Sequence, residues 1–319
     1  MEEFNPDFFD GKFKHYTVML KEAVDIMEIE KNPDGIYIDA TLGGGGHSGY
    51  ILSKLSKKGK LISFDVDIEA IEAAKNRLGD YPNFFPVNRS YTEIKDVLHE
   101  FGIEKITGGV LFDLGASYNQ LTSCSRGFSF KKDSPLDMRF NLNQDLTAHE
   151  VINKYSENEL VEIFSKYGEE HFSKRIAKAV VNNRPINSTL QLADLIVKST
   201  PKVKSAIHPA TRVFQALRIE VNKELLNFEN TLNDVITLLS DGGIISVLTF
   251  HSLEDRVAKH YFKEFSKTCR CPLHQIKCNC GGKKLEILTK KPIYCSEDEL
   301  RKNPPSRSAK LRAARKVND

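Results

Sequence analysis

Three short words in this sequence combine residue types that can handle a charged ligand. The first is Asp39-Ala40-Thr41-Leu42-Gly43-Gly44-Gly45-Gly46-His47-Ser48. Consecutive glycines let a backbone approach a ligand closely, and before a helix they leave its first amides exposed. A tight turn alone would not need four of them, because each adds conformational entropy to the unfolded chain. The second word is Phe112-Asp113-Leu114-Gly115-Ala116-Ser117, followed by Gln120. A carboxylate there can accept hydrogen bonds from an amine, either an amino group of a cofactor or an exocyclic amine of a target. A glutamine can both donate and accept. The third word is Phe250-His251-Ser252-Leu253-Glu254-Asp255-Arg256. Ser252 with Asp255 predicts a helix N-cap, which would leave His251 at a crevice rim. G-x-S-x-G is absent, so no hydrolase nucleophile elbow is implied.

The glycine run has two phasings. Gly44, Gly46 and Gly49 match the G-x-G-x-x-G dinucleotide fingerprint, a weak match inside a glycine run. The other phasing sets Asp39 ahead of the first glycine and resembles the first motif of Rossmann-like methyltransferases. In both, Asp65 lies about 20 residues downstream of the glycines, where an acid can hold ribose hydroxyls. Asp67 reads as a turn or cap residue before the next helix.

These words need a sheet to position them, and the first third of the chain supplies its pattern. Strands are predicted at Gly35–Asp39, Lys60–Asp65, Phe84–Val87 and Gly109–Asp113. Helices are predicted at His47–Leu55 and Ile68–Leu78, and the Ser90/Glu93 capping box opens another. This alternation implies a doubly wound, mostly parallel α/β sheet, with its ligand crevice at the carboxyl ends of the strands. From Leu121 to Ile207 the pattern is helical, with starts at Thr147/Glu150, Ser156/Glu159 and Ser188/Gln191. An apolar stripe from Thr211 to Leu239 predicts one long helix. A strand at Ile244–Phe250 resumes the alternation, and strands at Lys284–Thr289 and Ser308–Lys316 would close it as an antiparallel hairpin. The expected domains are therefore 1–120, a helical insertion at 121–207, and 208–319.

Bulk properties narrow the class. The 319 residues are 40% hydrophobic and 28% charged, with a formal net charge of +3. That describes a chain with a sizeable core and no global polycationic character. Charge is uneven, however: Arg301–Asp319 holds seven Lys/Arg and one acid, a pattern that fits either a tail facing nucleic acid or a simply solvated one. No signal peptide and no membrane-length apolar run is apparent, so a cytoplasmic protein is expected. Six cysteines are too sparse for a disulfide scaffold. Cys269, Cys271, Cys278 and Cys280, with His274 between them, form C-x-C…C-x-C. They could hold a structural zinc, although C-x-C is tighter than the usual zinc spacing, and a thiol-rich loop is the alternative.

Several further words agree with one family. They are Arg126-Gly127-Phe128-Ser129-Phe130, Pro135-Leu136-Asp137-Met138-Arg139, Tyr167-Gly168-Glu169-Glu170, His208-Pro209-Ala210-Thr211-Arg212, and Arg307-Ser308-Ala309-Lys310-Leu311-Arg312. With the glycine word, they give the chain from His15 to Arg315 an ordered resemblance to the bacterial 16S rRNA (cytosine-N4)-methyltransferases.

The resemblance implies S-adenosyl-L-methionine as cofactor, no catalytic metal, and 16S rRNA within the 30S subunit as partner. It implies a class I, Rossmann-like fold with a substrate-recognising helical insertion. Gly45, Gly46, His47, Asp65, Tyr91, Asp113 and Gln120 match the family's cofactor contacts. For the target amine, Asp113 is the expected hydrogen-bond acceptor and Asp137 the second candidate. Arg126, Arg139, Arg212, Arg218 and Arg256 could meet phosphates or serve as structural ion-pair partners. Phe128 and Phe130 could stack on bases or pack in a core. The loop Ala116-Ser117-Tyr118-Asn119-Gln120-Leu121 departs from the family's V-S-S-P-Q-L and leaves open how the base is held. A homodimer is left open too. Competing readings are a DNA amino-methyltransferase, lacking here its acid/Ser/Asn-Pro-Pro-aromatic word, a non-catalytic assembly factor, and an NAD oxidoreductase.

Overall fold

The computed structural model describes residues 17–115, 126–201, 208–271 and 281–317. Chain order begins with helix α1 (Leu20–Asp25) and strand β1 (Ile36–Asp39). Helix α2 (Gly46–Lys54), strand β2 (Lys60–Phe64), helix α3 (Ile68–Leu78) and strand β3 (Phe84–Val87) follow. Helix α4 (Ile94–Glu100) and strand β4 (Gly109–Leu114) complete the first run. After the helical segment come β5 (Ile244–Thr249), helix α11 (Ser252–Phe265), β6 (Leu285–Ile287), helix α12 (Glu297–Lys302) and β7 (Lys310–Lys316). The intervening helices are numbered α5 to α10 below.

Among the described residues, seven strands form one sheet in the order β3-β2-β1-β4-β5-β7-β6. The first five are parallel, and β7 runs antiparallel to both β5 and β6. This is the expected α/β fold, with the closing hairpin in place. Alternate side chains point to opposite faces of a strand. Accordingly Ile38, Ile62, Val110, Phe112, Ile245 and Val247 share one core cluster, while Tyr37, Leu61, Leu111 and Leu248 share another. With both faces covered, β5 is buried at every position.

Part of the basic tail is neither solvated nor free. Much of it is β7, an interior strand, so its cations must find partners inside the protein. Arg312 makes two hydrogen bonds to Asp255, at 2.6 and 3.2 Å, and Arg315 pairs with Glu28 at 2.9 Å. Lys316 donates to the Ile236 carbonyl at 2.6 Å. These three cations are paired within the protein.

The residues fall into two compact units, one comprising residues up to Gly115 and from Asn227 onward, the other Ala116–Leu226. The second unit contains α5 (Ala148–Lys154), α6 (Glu157–Lys166), α7 (Ser173–Asn182), α8 (Thr189–Ser199) and α9 (Ala210–Asn222). Thr147, Ser156 and Ser188 cap α5, α6 and α8, as their capping patterns predict. The unit extends beyond 121–207 because Val213, Phe214, Ala216, Leu217 and Val221 of α9 share its apolar core. The single helix expected from Thr211 to Leu239 is in fact two, α9 and α10 (Glu224–Leu238), with Lys223 between them at φ 50°. A stripe with three- and four-residue spacing continues across one left-handed residue, so periodicity alone does not reveal the break.

Candidate active site

The glycine loop joins β1 to α2 at the carboxyl end of the sheet. Gly45 caps α2 with φ 73°, a left-handed geometry that favours glycine. Gly46 opens the helix under close approach: a Cβ there would lie 1.8 Å from Thr17 Oγ1. A Cβ on Gly44 would meet nothing within 4 Å, so the loop backbone is open on that side.

Buried acids hold the loop in shape. Asp39 is fully buried and accepts from Ser48 Oγ at 2.7 Å and from the Thr41 amide at 3.0 Å. Burial pushes its carboxyl up to about 6, against the lowering effect of those hydrogen bonds. Asp65 accepts the Gly43 amide at 2.8 Å and the Asp67 amide at 2.9 Å, one on each oxygen. Its carboxyl is likewise pushed up to about 6 by burial. A carboxylate offers about four lone-pair sites, so Asp65 retains acceptors for two ribose hydroxyls. Asp67 caps α3 by accepting from the Glu69 amide, as expected.

Asp113 closes the group from β4. Its amide donates to Thr41 Oγ1 at 2.7 Å, tying the second word to the first. Oδ2 lies 3.6 Å from Nδ1 of His47, whose Nε2 meets the Val18 carbonyl at 3.2 Å. Oδ1 is buried and has no hydrogen-bond partner among the described residues, although 23% of the side chain is exposed. Burial, then the nearby carboxylates of Asp39 and Glu254, push this carboxyl up to about 8. Among the described residues, no Lys or Arg lies within ion-pair distance of it. A buried acceptor without a partner is costly unless a ligand supplies the donor.

Other expected residues are placed differently. Tyr91 sits in the turn after β3 with its ring edge-on to Phe112, centroids 5.8 Å apart. Asp137 belongs to the helical unit, where both its oxygens accept from the Arg139 guanidinium at 2.9 and 2.8 Å. Burial raises the Asp137 carboxyl, but hydrogen bonds and charge from Arg139 outweigh this and hold it below the usual range. Arg218 is similarly engaged by both oxygens of Glu224 at 2.8 Å. Phe128 stacks on Phe140 and Phe130 on His208, which are packing roles. Gln120, Cys278, Cys280 and His274 lie outside the described residues, so the glutamine contact and the zinc expectation fall there too.

The N-cap expectation at Ser252 is corrected. His251 is the cap of α11: Nδ1 accepts from the Glu254 amide at 3.4 Å, and Glu254 Oε2 accepts from the His251 amide at 3.2 Å. Ser252 is the first helical residue, and Asp255 is drawn off by Arg312 and Lys310. A histidine cap escapes the usual Ser/Thr/Asp/Asn rule. Glu254, a site neighbour that the sequence reading did not single out, is 3% exposed and also accepts from the Phe250 amide at 2.7 Å. Its place three residues after His251 was the available signal.

Two clefts lie away from this group. One of about 210 Å³ is in the helical unit beside Tyr155, Tyr167 and Glu220. Another of about 330 Å³, beside Asn32, Thr107 and Arg315, lies at the amino ends of β1 and β4. Ligands of open α/β sheets bind at the carboxyl ends, where the glycine loop and Asp113 are. The open loop and the spare acceptors of Asp65 suit a ligand bearing ribose hydroxyls, as S-adenosylmethionine does, and Oδ1 of Asp113, unpartnered among the described residues, suits an amine of the cofactor or of the target.

Comparison with known proteins identifies a family. The model of the MraW methylase family matches residues 12–317. A protein of Clostridium botulinum (strain Loch Maree / Type A3) named "Ribosomal RNA small subunit methyltransferase H" is 49% identical, covering 96% of this chain and 100% of that one. A protein of the same name from Clostridioides difficile (strain 630) is 45% identical at the same coverage. Among solved structures, an rRNA methylase from Streptococcus thermophilus aligns with TM-score 0.43 at 11% identity, over 95% of this chain and 99% of that one. The chain belongs to the MraW methylase family and is an S-adenosylmethionine-dependent methyltransferase.

Proposed function

We propose that this enzyme methylates N4 of a decoding-region cytidine in 16S rRNA, with the small ribosomal subunit as substrate and the cytoplasm as its place of action. Support for the substrate comes from the names of the curated relatives and from the sequence resemblance. Among the described residues, no helix is long and apolar enough to cross a membrane. The observation that carries the chemistry is the buried Oδ1 of Asp113 beside the glycine loop, unpartnered among the described residues.

S-adenosylmethionine supplies a methyl group already activated by its sulfonium charge, so no metal or covalent intermediate is needed. We assign its binding to Gly45, Gly46, His47, Asp65, Tyr91, Asp113 and Gln120. The acceptor is the difficult partner, since the N4 lone pair is delocalised into the ring. A carboxylate accepting from N4–H raises the electron density on nitrogen and aims it at the methyl carbon. Positioning of this kind can supply several kcal/mol. Asp113 is assigned this task in preference to Asp137, whose oxygens are engaged by Arg139. The target base must be unpaired or splayed out to reach the site.

The test is methyl transfer from labelled cofactor to unmodified 30S subunits, naked 16S rRNA and DNA, with nucleoside mass spectrometry of the product. N4-methylcytidine in the ribosomal substrate is the expected result. Measurable cofactor binding without transfer to any of the three would favour an assembly factor.

A further inference from the structure

The geometry points to His47 and Asp113 as one proton-sharing pair, in which Nδ1 of His47 is the final acceptor of the proton that the methylated amine loses. The inference deepens the proposed function and rests on it for the identity of the amine.

A carbonyl sets the starting point. The Val18 oxygen can only accept, so at 3.2 Å it takes the Nε2–H of His47. The neutral ring then turns an unprotonated Nδ1 toward Asp113 Oδ2, 3.6 Å away. A lone pair facing an ionised carboxylate is repulsive. One proton between the two atoms turns that repulsion into a hydrogen bond. His47 is only 4% exposed, so solvent cannot relieve the contact. The surroundings favour the extra proton: Asp39 on β1 and Glu254 on α11 both face Asp113 with negative charge. The separation exceeds a hydrogen bond, but such contacts are often long in ligand-free sites and tighten on binding.

The transfers balance. The N4 lone pair forms the bond to the methyl carbon as the carbon–sulfur bond breaks, and that electron pair goes to sulfur. N4 then carries one proton too many. Oδ1 of Asp113 takes it, and the proton shared at Oδ2 passes fully to Nδ1. His47 ends as an imidazolium, still held by Val18. One positive charge leaves sulfur and one arrives on the ring, so the net charge of the crevice is unchanged.

Nitrogen NMR of the full chain with labelled histidine, free of cofactor and RNA, tests the pair directly. The expected result is an Nε2–H tautomer for His47 and an Nδ1 resonance that shifts in Asp113→Asn. An Nδ1–H tautomer, or an Nδ1 resonance indifferent to Asp113→Asn, overturns the pair whatever the RNA substrate. His47→Gln gives the kinetic counterpart. With saturating cofactor and RNA, turnover should fall roughly 10²-fold or more, as loss of a proton acceptor does. A loss confined to cofactor affinity overturns the inference. Because the NMR readout involves no RNA, failure of the cytidine assignment would show separately, as a supported pair with transfer to another amine.

Discussion

The acids beside the glycine loop and those of the helical unit are held differently, whereas elsewhere in the sheet unit Asp255 and Glu28 also pair with guanidinium groups. In the sheet unit, Asp39, Asp65 and Asp113 are held by hydroxyls, amides and a histidine, and their carboxyls are pushed toward the neutral form. In the helical unit, Asp137 and Glu224 each meet a guanidinium through both oxygens. A fully paired carboxylate is structural. A buried acid without a cation awaits a donor from outside, and perturbed groups of that kind cluster at functional sites.

The sharpest way to break this comparison is to neutralise one acid in each unit. Asp113→Asn should lower single-turnover methyl transfer to 30S subunits by roughly 10²- to 10⁴-fold, the usual range for a general base. Full turnover at saturating cofactor and RNA would show that the uncompensated acid has no part in the chemistry. Gly46→Ala should come next. Its Cβ must displace Thr17, destabilising the fold by roughly 1–3 kcal/mol and weakening cofactor affinity, both measurable by denaturation and calorimetry. Asp137→Ala should destabilise by roughly 1–3 kcal/mol through the loss of both hydrogen bonds to the Arg139 guanidinium, while cofactor affinity stays within about threefold. An equal loss of cofactor affinity would place the helical acid in the site after all.

The smallest effect concerns pH. The folded carboxyl of Asp113 sits near 8, above its unfolded value, so ionising it opposes the fold. The associated stability is fully present below the unfolded value and is lost as pH rises toward and through about 8. Ligand-free Asp113→Asn should therefore melt higher than the parent at pH 9, by roughly 2–4 °C, and gain less at pH 6. No difference across that range would mean that the Asp113 carboxyl is not strained by burial.

Much of the architecture was legible because periodicity is a local signal. Strand β3 and helix α3 fall on their predicted residues, and the caps at Thr147, Ser156 and Ser188 lie where short polar words announced them. The glycine word, Asp65 and Asp113 were legible as candidates because glycines and acids at strand ends are rare where only packing is needed. The His251 cap was missed because the neighbouring serine satisfied the commoner rule. The left-handed Lys223 was missed because it leaves the apolar spacing intact.

By itself, then, the sequence determined the order of strands and helices, the place of the glycine loop and the acids that follow each strand. Those follow from side-chain periods and backbone preferences along a few residues. Only the tertiary structure decided which charges are spent. Arg312, Arg315 and Lys316 are consumed by a sheet that forms from distant segments, and Asp137 by a neighbouring arginine. Asp113 is left with a buried oxygen, unpartnered among the described residues, beside His47. Pairing depends on distance and burial in three dimensions, and a linear string of residue types carries neither.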